Sequence, residues 1–184
     1  MQREITTWHL ELTDPKDFRP ARPRHELRIE RAEIPSPELS RFLYTAVGGD
    51  FFWVDRLGWS RAEWTAWLER PGIETWIGSV TGTPVGYFEL ERQAEGSCEV
   101  TCFGLLPHFV GRGLGGALLG AAVEKAWEGG ARRVWLHTCS LDSRAALPAY
   151  QARGLRIFAT ETTVRDLPDT PPGPWPGADR ARPE

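Results

Sequence analysis

Apolar and polar side chains alternate over residues 6–12, which predicts a strand, placed at a sheet edge; the proline-rich, basic stretch 14–24 then reads as a connector. The main fold is expected from about Glu26, with a strand over 27–32. Ser36-Pro37-Glu38 sets a capping side chain before a proline at the first helical position and opens a helix to about Val47, which Gly48-Gly49 ends. Ser60, with Glu63 three residues on, forms a capping box for a second helix reaching about Arg70. Strands follow over 75–80, 85–91 and 98–105, joined by turns at Thr81-Gly82-Thr83-Pro84 and Ala94-Glu95-Gly96. From 113 to 128, Leu114, Leu118, Ala122 and Ala126 recur at helical spacing, and Gly129-Gly130 stops the helix. A buried strand over 133–139, a short helix over 147–153 and a strand over 155–164 complete the pattern. This order describes an α/β protein (α+β with a mixed sheet) carrying helices on both faces. Residues 1–25 are expected as edge strand and connector, 26–167 as one domain and 168–184 as a loosely ordered proline-rich tail.

Composition narrows the classes. A length of 184 residues suits one domain, and a net charge of -3 gives no reason to expect a polyanion, so nucleic acid is not the expected partner. Met1-Gln2-Arg3-Glu4-Ile5 has no apolar leader, and no run approaches the roughly 18 apolar residues of a membrane span, so a cytoplasmic protein without a membrane partner is expected. Cys98, Cys102 and Cys139 are odd in number and lack paired spacing; reduced thiols are expected, with no disulfide framework and no metal. Four of the nine tryptophans, Trp53, Trp59, Trp64 and Trp67, crowd one short stretch, where they serve as core or as pocket wall, core being favoured.

Gly111-Arg112-Gly113-Leu114-Gly115-Gly116 lies between a strand and a helix, where glycines admit an anion to the backbone and free amides at a helix start attract it. A pyrophosphate fits, with Arg112 as a further charged contact. The same letters satisfy GxGxxG, but a dinucleotide fingerprint requires a parallel strand-helix-strand unit and an acidic residue about 20 residues on. Here the preceding strand leaves a hairpin and the following one continues as Leu136-His137-Thr138.

Residues 99–116 resemble motif A of the GNAT acetyltransferase superfamily, whose loop reads Gln/Arg-x-x-Gly-x-Gly/Ala. Gly113 and Gly115 match; Val110 replaces the Gln or Arg. The likeness runs over about 26–164, with distinctive motifs only between 97 and 155. It implies a GNAT-like acyl-CoA N-acyltransferase fold, a mixed, mostly antiparallel sheet flanked by helices, with acetyl-CoA as co-substrate. The implied donor contacts are Phe103, Leu105, Leu106, Val110, Gly111, Arg112, Gly113, Leu114, Gly115, Gly116 and Ser143. The strand before the loop would offer backbone groups to the pantetheine arm and splay from strand 134–139 to admit the thioester. Loss of the side chain at position 110 weakens donor binding unless Arg112 or a neighbour compensates, and it leaves the donor's identity open.

Acyl transfer to an amine needs a base for the ammonium and an acid for the departing thiolate. Alternation over 98–105 puts Glu99, Thr101 and Phe103 on one face, and Cys-Glu-Val-Thr-Cys-Phe resembles family members whose strand glutamate is the base; a solvated carboxylate is the alternative for Glu99. Glu89 and Glu91 are expected to face the same way, a carboxylate cluster that attracts a cationic amine and raises the pKa of one member. Residues 143–155 resemble the family's Asn-x-x-Ala-x-x-x-Tyr-x-x-x-Gly-Phe, which makes Tyr150 the acid, with Ser143 and Leu155 replacing Asn and Phe. Cys139 as a nucleophile is disfavoured against a bland thiol.

The resemblance implies an acceptor pocket lined by the first two helices and their connection, here the aromatic stretch 50–59 with Trp53, Asp55, Arg56 and Trp59, where Asp55 would meet an amine and Arg56 a carboxylate, unless the two form a surface pair. A small-molecule primary amine is the favoured acceptor. A protein or peptide acetyltransferase, a noncatalytic acyl-CoA-binding module and a carrier- or tRNA-bound acyl donor stay open, as does the oligomeric state, a homodimer included.

Overall fold

The computed structural model describes residues 1–174, so most of the proline-rich tail lies outside the described residues. Seven strands form one sheet: β1 (Gln2–Leu12), β2 (Leu27–Arg31), β3 (Ile73–Val80), β4 (Thr83–Arg92), β5 (Ser97–Leu105), β6 (Arg133–Cys139) and β7 (Arg156–Asp166). Their order is β2-β3-β4-β5-β6-β1-β7, and every pairing is antiparallel except β5 with β6. Among the described residues the four α-helices are α1 (Pro37–Gly48), α2 (Arg61–Leu68), α3 (Gly115–Glu128) and α4 (Ala146–Ala152).

The local start signals act as the sequence predicts. Ser36 accepts the amide of Leu39 with Pro37 in the first turn of α1, and Ser60 and Glu63 form a reciprocal capping box on α2. One face of the sheet packs on α3, where Leu118, Leu119, Ala122, Val123 and Ala126 meet Phe88, Leu90, Val100, Val134 and Leu136. The opposite face packs on α1 and α2, where Leu43, Tyr44, Val47 and Trp64 meet Tyr87 and Cys102. A side chain at Gly104 would sit 2.4 Å from the Val47 methyl, so glycine there lets α1 lie directly on β5.

The N-terminal strand is not at an edge. β1 runs between β6 and β7, and Ile5, Leu10 and Leu12 are buried. The edge positions belong to β2 and to β7, whose eleven residues are all exposed. Alternation identified the 6–12 segment as a strand, but its neighbours come from the far end of the chain, and no local pattern encodes them.

The interior position of β1 has a measurable consequence. Leu10→Ala should lower the free energy of unfolding by about 2–5 kcal/mol in urea denaturation, as for a buried leucine. A strand at the edge would lose within about 0.5 kcal/mol.

Candidate active site

β4 and β5 pair in regular register from Arg92↔Cys98 to Leu90↔Val100, and again from Glu89↔Cys102 to Gly86↔Leu105. Thr101 is the extra residue, a β-bulge that bends the strand and increases its twist. The bulge overturns the strict alternation expected from sequence. Cys98 and Val100 face α3, whereas Cys102 faces α1 and α2, and Phe103 turns to the α3 side, its ring 6.1 Å from that of Tyr150. The bulge lies just beyond the place where β5 parts from β6: the two pair only at Ser97↔Arg133, Cys98↔Val134 and Glu99↔Trp135.

The gap between these strands opens into a cavity of about 1010 Å³. Phe103, Leu105, Val110, Gly115, Gly116, Ser143 and Tyr150 line its donor side. The other expected donor contacts, Gly111, Arg112, Gly113, the buried Leu114 and Leu106, whose amide donates to Val85 O at 2.8 Å, are not among the cavity's lining residues. Gly111 and Gly113 have φ of 82° and 76°, the left-handed region that glycine adopts without strain. Leu114 precedes α3 without a side-chain cap, so no side chain takes up its first amides. Val110 is 64% exposed at the cavity rim. Arg112 lies against His108 and the ring of Phe109, while Arg24, from the connector after β1, donates to Arg112 O at 3.1 Å and overlies Gly113. The sequence drew no role for Arg24, because only the fold carries the connector across the loop.

The carboxylates that sequence reading gathered into a cluster each have their own partner. Glu89 is 1% exposed, and its Oε1 receives hydrogen bonds from Arg56 Nη1 (2.9 Å), Trp67 Nε1 (3.1 Å) and Thr101 Oγ1 (2.7 Å). Glu91 pairs with Arg70. Of the residues expected on the acceptor side, Arg56 lines the cavity, whereas Glu89 and Trp59 are not among its lining residues. Glu89 is sealed in the sheet, and Arg56 answers it from an aromatic box in which Trp67, Trp59 and Tyr44 lie 4.3, 5.2 and 5.8 Å from the guanidinium. Trp59 packs on Trp64 and Trp67. A buried charge draws the strongest available countercharge, and here that is another side chain. Trp53 does line the cavity, and so does Asp55, whose carboxylate pairs with Arg165.

Glu99 is mostly buried. Its Oε2 accepts from Gln93 Nε2 at 3.0 Å, and its Oε1 lies 3.3 Å from His137 Nδ1. His137 lines the cavity, and its hydrogen bond to Glu99 raises its pKa above 6.5 against the opposing effect of burial. No motif marks His137 in the sequence, though the burial of Val134, Leu136 and Thr138 is the alternation that puts Trp135, His137 and Cys139 on one face. Burial pushes the Tyr150 hydroxyl far above its usual range, so it stays protonated and able to donate. Burial also raises the thiols of Cys98 to about 11, Cys102 to about 12, and Cys139, none of which is poised as a nucleophile.

Two parted parallel strands in a mixed sheet, with a glycine loop leading into the helix that flanks the gap, form the candidate site. The chain belongs to the acetyltransferase (GNAT) family, whose model matches residues 40–155. Its fold is similar to that of a GCN5-related N-acetyltransferase from Sphaerobacter thermophilus (15% identity, TM-score 0.66, covering 89% of this chain and 53% of the other). It is likewise similar to one from Kribbella flavida (20% identity, TM-score 0.63, 89% and 58%). The chain thus spans little more than half the length of these two proteins. An IAA acetyltransferase from Bacillus cereus is 25% identical with a TM-score of 0.56, over 72% of this chain and 79% of its own. Comparison with curated protein sequences gives no match.

Because Glu89 is sealed behind Arg56, Glu89→Ala should leave a buried guanidinium without its countercharge. The expected loss is about 3–5 kcal/mol of stability in urea unfolding. A loss under about 1 kcal/mol would place the pair at the surface.

Proposed function

We propose that the protein transfers an acetyl group from acetyl-CoA to a primary amine of a small molecule, by direct attack within the gap between β5 and β6. The observation that carries this reading is the continuity of one cavity from the Gly115–Gly116 start of α3, along Phe103 and Leu105, to Glu99, His137 and Tyr150. GNAT proteins typically use acetyl-CoA. The amides at the start of α3 would hold the pyrophosphate, with Arg24 and Arg112 supplying the positive charge that Val110 does not. The free edge of β5 beyond Glu99 would bond the pantetheine arm.

The acceptor nitrogen would attack the thioester carbonyl. As the new N–C bond forms and the C–S bond breaks, the ammonium's proton leaves to the base cluster around Glu99, and the thiolate takes a proton from Tyr150. A small acceptor is favoured because aromatic residues Phe51, Phe52 and Trp53 wall the far end of the cavity and the Asp55–Arg165 pair stands beside it. Arg56 lines the cavity with its guanidinium paired to Glu89, so an amino-acid-like acceptor would have to share that cation with the buried carboxylate.

The test is release of free thiol from acetyl-CoA with a panel of primary amines, beside a calorimetric titration with CoA. Wild-type protein is expected to bind CoA and to release thiol with at least one amine; binding without release on any amine contradicts catalysis and supports an acyl-CoA-binding module. Gly113→Ala forces a side chain into a left-handed position and against Arg24, and should weaken CoA binding about tenfold. Tyr150→Phe should keep CoA affinity and lower kcat by roughly 100-fold.

A further inference from the structure

We infer that His137, rather than Glu99, is the group that takes the proton from the acceptor amine, and that Glu99 is a positioning residue behind it; the inference rests on the N-acyl transfer proposed above. Four side chains form a chain through the root of the gap. The Trp135 indole donates to Gln93 Oε1 at 3.0 Å, Gln93 Nε2 donates to Glu99 Oε2 at 3.0 Å, and Glu99 Oε1 meets His137 Nδ1 at 3.3 Å. An indole can only donate, so it fixes the orientation of the Gln93 amide and turns its NH₂ group to the carboxylate.

Both oxygens of Glu99 are thereby engaged, and its side chain is 11% exposed, whereas that of His137 is 47% exposed. The accessible end of the chain is the imidazole. Trp135 is opposite Glu99 in the last ladder pair, and His137 stands two residues farther along β6, where the strands have parted. The acyl donor and the acceptor would meet in that opening.

The chemistry follows from the geometry. A carboxylate at Nδ1 favours the proton on that nitrogen and leaves the lone pair of Nε2 for the cavity. During attack, the proton on the acceptor nitrogen passes to Nε2, the C–S electron pair leaves with sulfur, and the imidazolium so formed is held by Glu99 until its proton passes to solvent. The charged and titratable groups around His137 are Glu99 on β5, His9 on β1 with its partner Glu161 on β7, Asp142 after β6, and Asp55 between α1 and α2. The carboxylates favour the imidazolium, so the apparent pKa lies above 6.5, and the base is lost as pH falls through it.

The experiment measures kcat and KM against pH with acetyl-CoA and the best-used of three amine probes, spermidine, tyramine and L-lysine, for wild type, His137→Asn and Glu99→Gln. His137→Asn is expected to lower kcat by roughly 100-fold with little change in KM, and added imidazole should restore part of it. Glu99→Gln should keep an acid limb and shift its midpoint downward, and the NMR titration of the His137 ring in the folded variant should move with it. Full turnover in His137→Asn, or loss of the acid limb in Glu99→Gln with an unmoved His137 titration, would overturn the inference alone. Wild-type protein inert to all three amines overturns the underlying transfer with these acceptors and the role of His137 with it.

Discussion

One oxygen of Glu89 receives three donors, from Arg56, Trp67 and Thr101, and this contact ties the two working halves of the protein together. Thr101 is the bulge residue of β5, Trp67 belongs to α2, and Arg56 to the connection before it. Bulges bend and twist the strand that carries them, and β5 parts from β6 beside this one. The helical layer on one face thus holds a distortion whose effect appears in the sheet beneath it. A buried ion pair is rarely a net gain in stability, but removing one partner is expensive, so the contact fixes a particular geometry rather than adding a large increment to folding.

The parting of the strands gives the site its chemistry. Up to Glu99↔Trp135 the backbone groups satisfy one another; beyond, the facing edges of β5 and β6 are free for a ligand. Polar groups gather at this root because carboxylate, amide, indole and imidazole can satisfy one another where the ladder stops. Tyr150, on the short α4, approaches from the α3 side, and its burial keeps it a proton donor. The arrangement places the imidazole and carboxylate on the strands and the protonated phenol on the helix, the separation that the proposed amine acylation would need.

Much of the fold was legible because its signals are local. The capping side chains of Ser36 and Ser60, Pro37, and the glycines that end α1 and start α3 each act within a few residues, and the elements they delimit lie within about three residues of the expected bounds. The motif reading also singled out Gly115, Gly116 and Tyr150, which the fold brings to one cavity wall. Contacts set by pairing across the chain were not legible. Nothing near residue 6 says that β1 will lie between β6 and β7, nothing near Arg24 says that it will cross the loop 88 residues later at Arg112, and nothing near Arg56 says that Glu89 will claim it. The bulge at Thr101 was invisible for a different reason: period-2 alternation presumes a regular ladder, and one inserted residue exchanges the faces of Cys102 and Phe103.

The central claim is that an acyl-CoA donor enters between β5 and β6 with its pyrophosphate at the start of α3. Amide hydrogen exchange, with and without saturating CoA, reads this directly. The account predicts slowed exchange confined to residues 103–106 and 111–117, with β2 and β3 unchanged. Slowing centred on α1 and α2, with residues 103–106 unaffected, would contradict it.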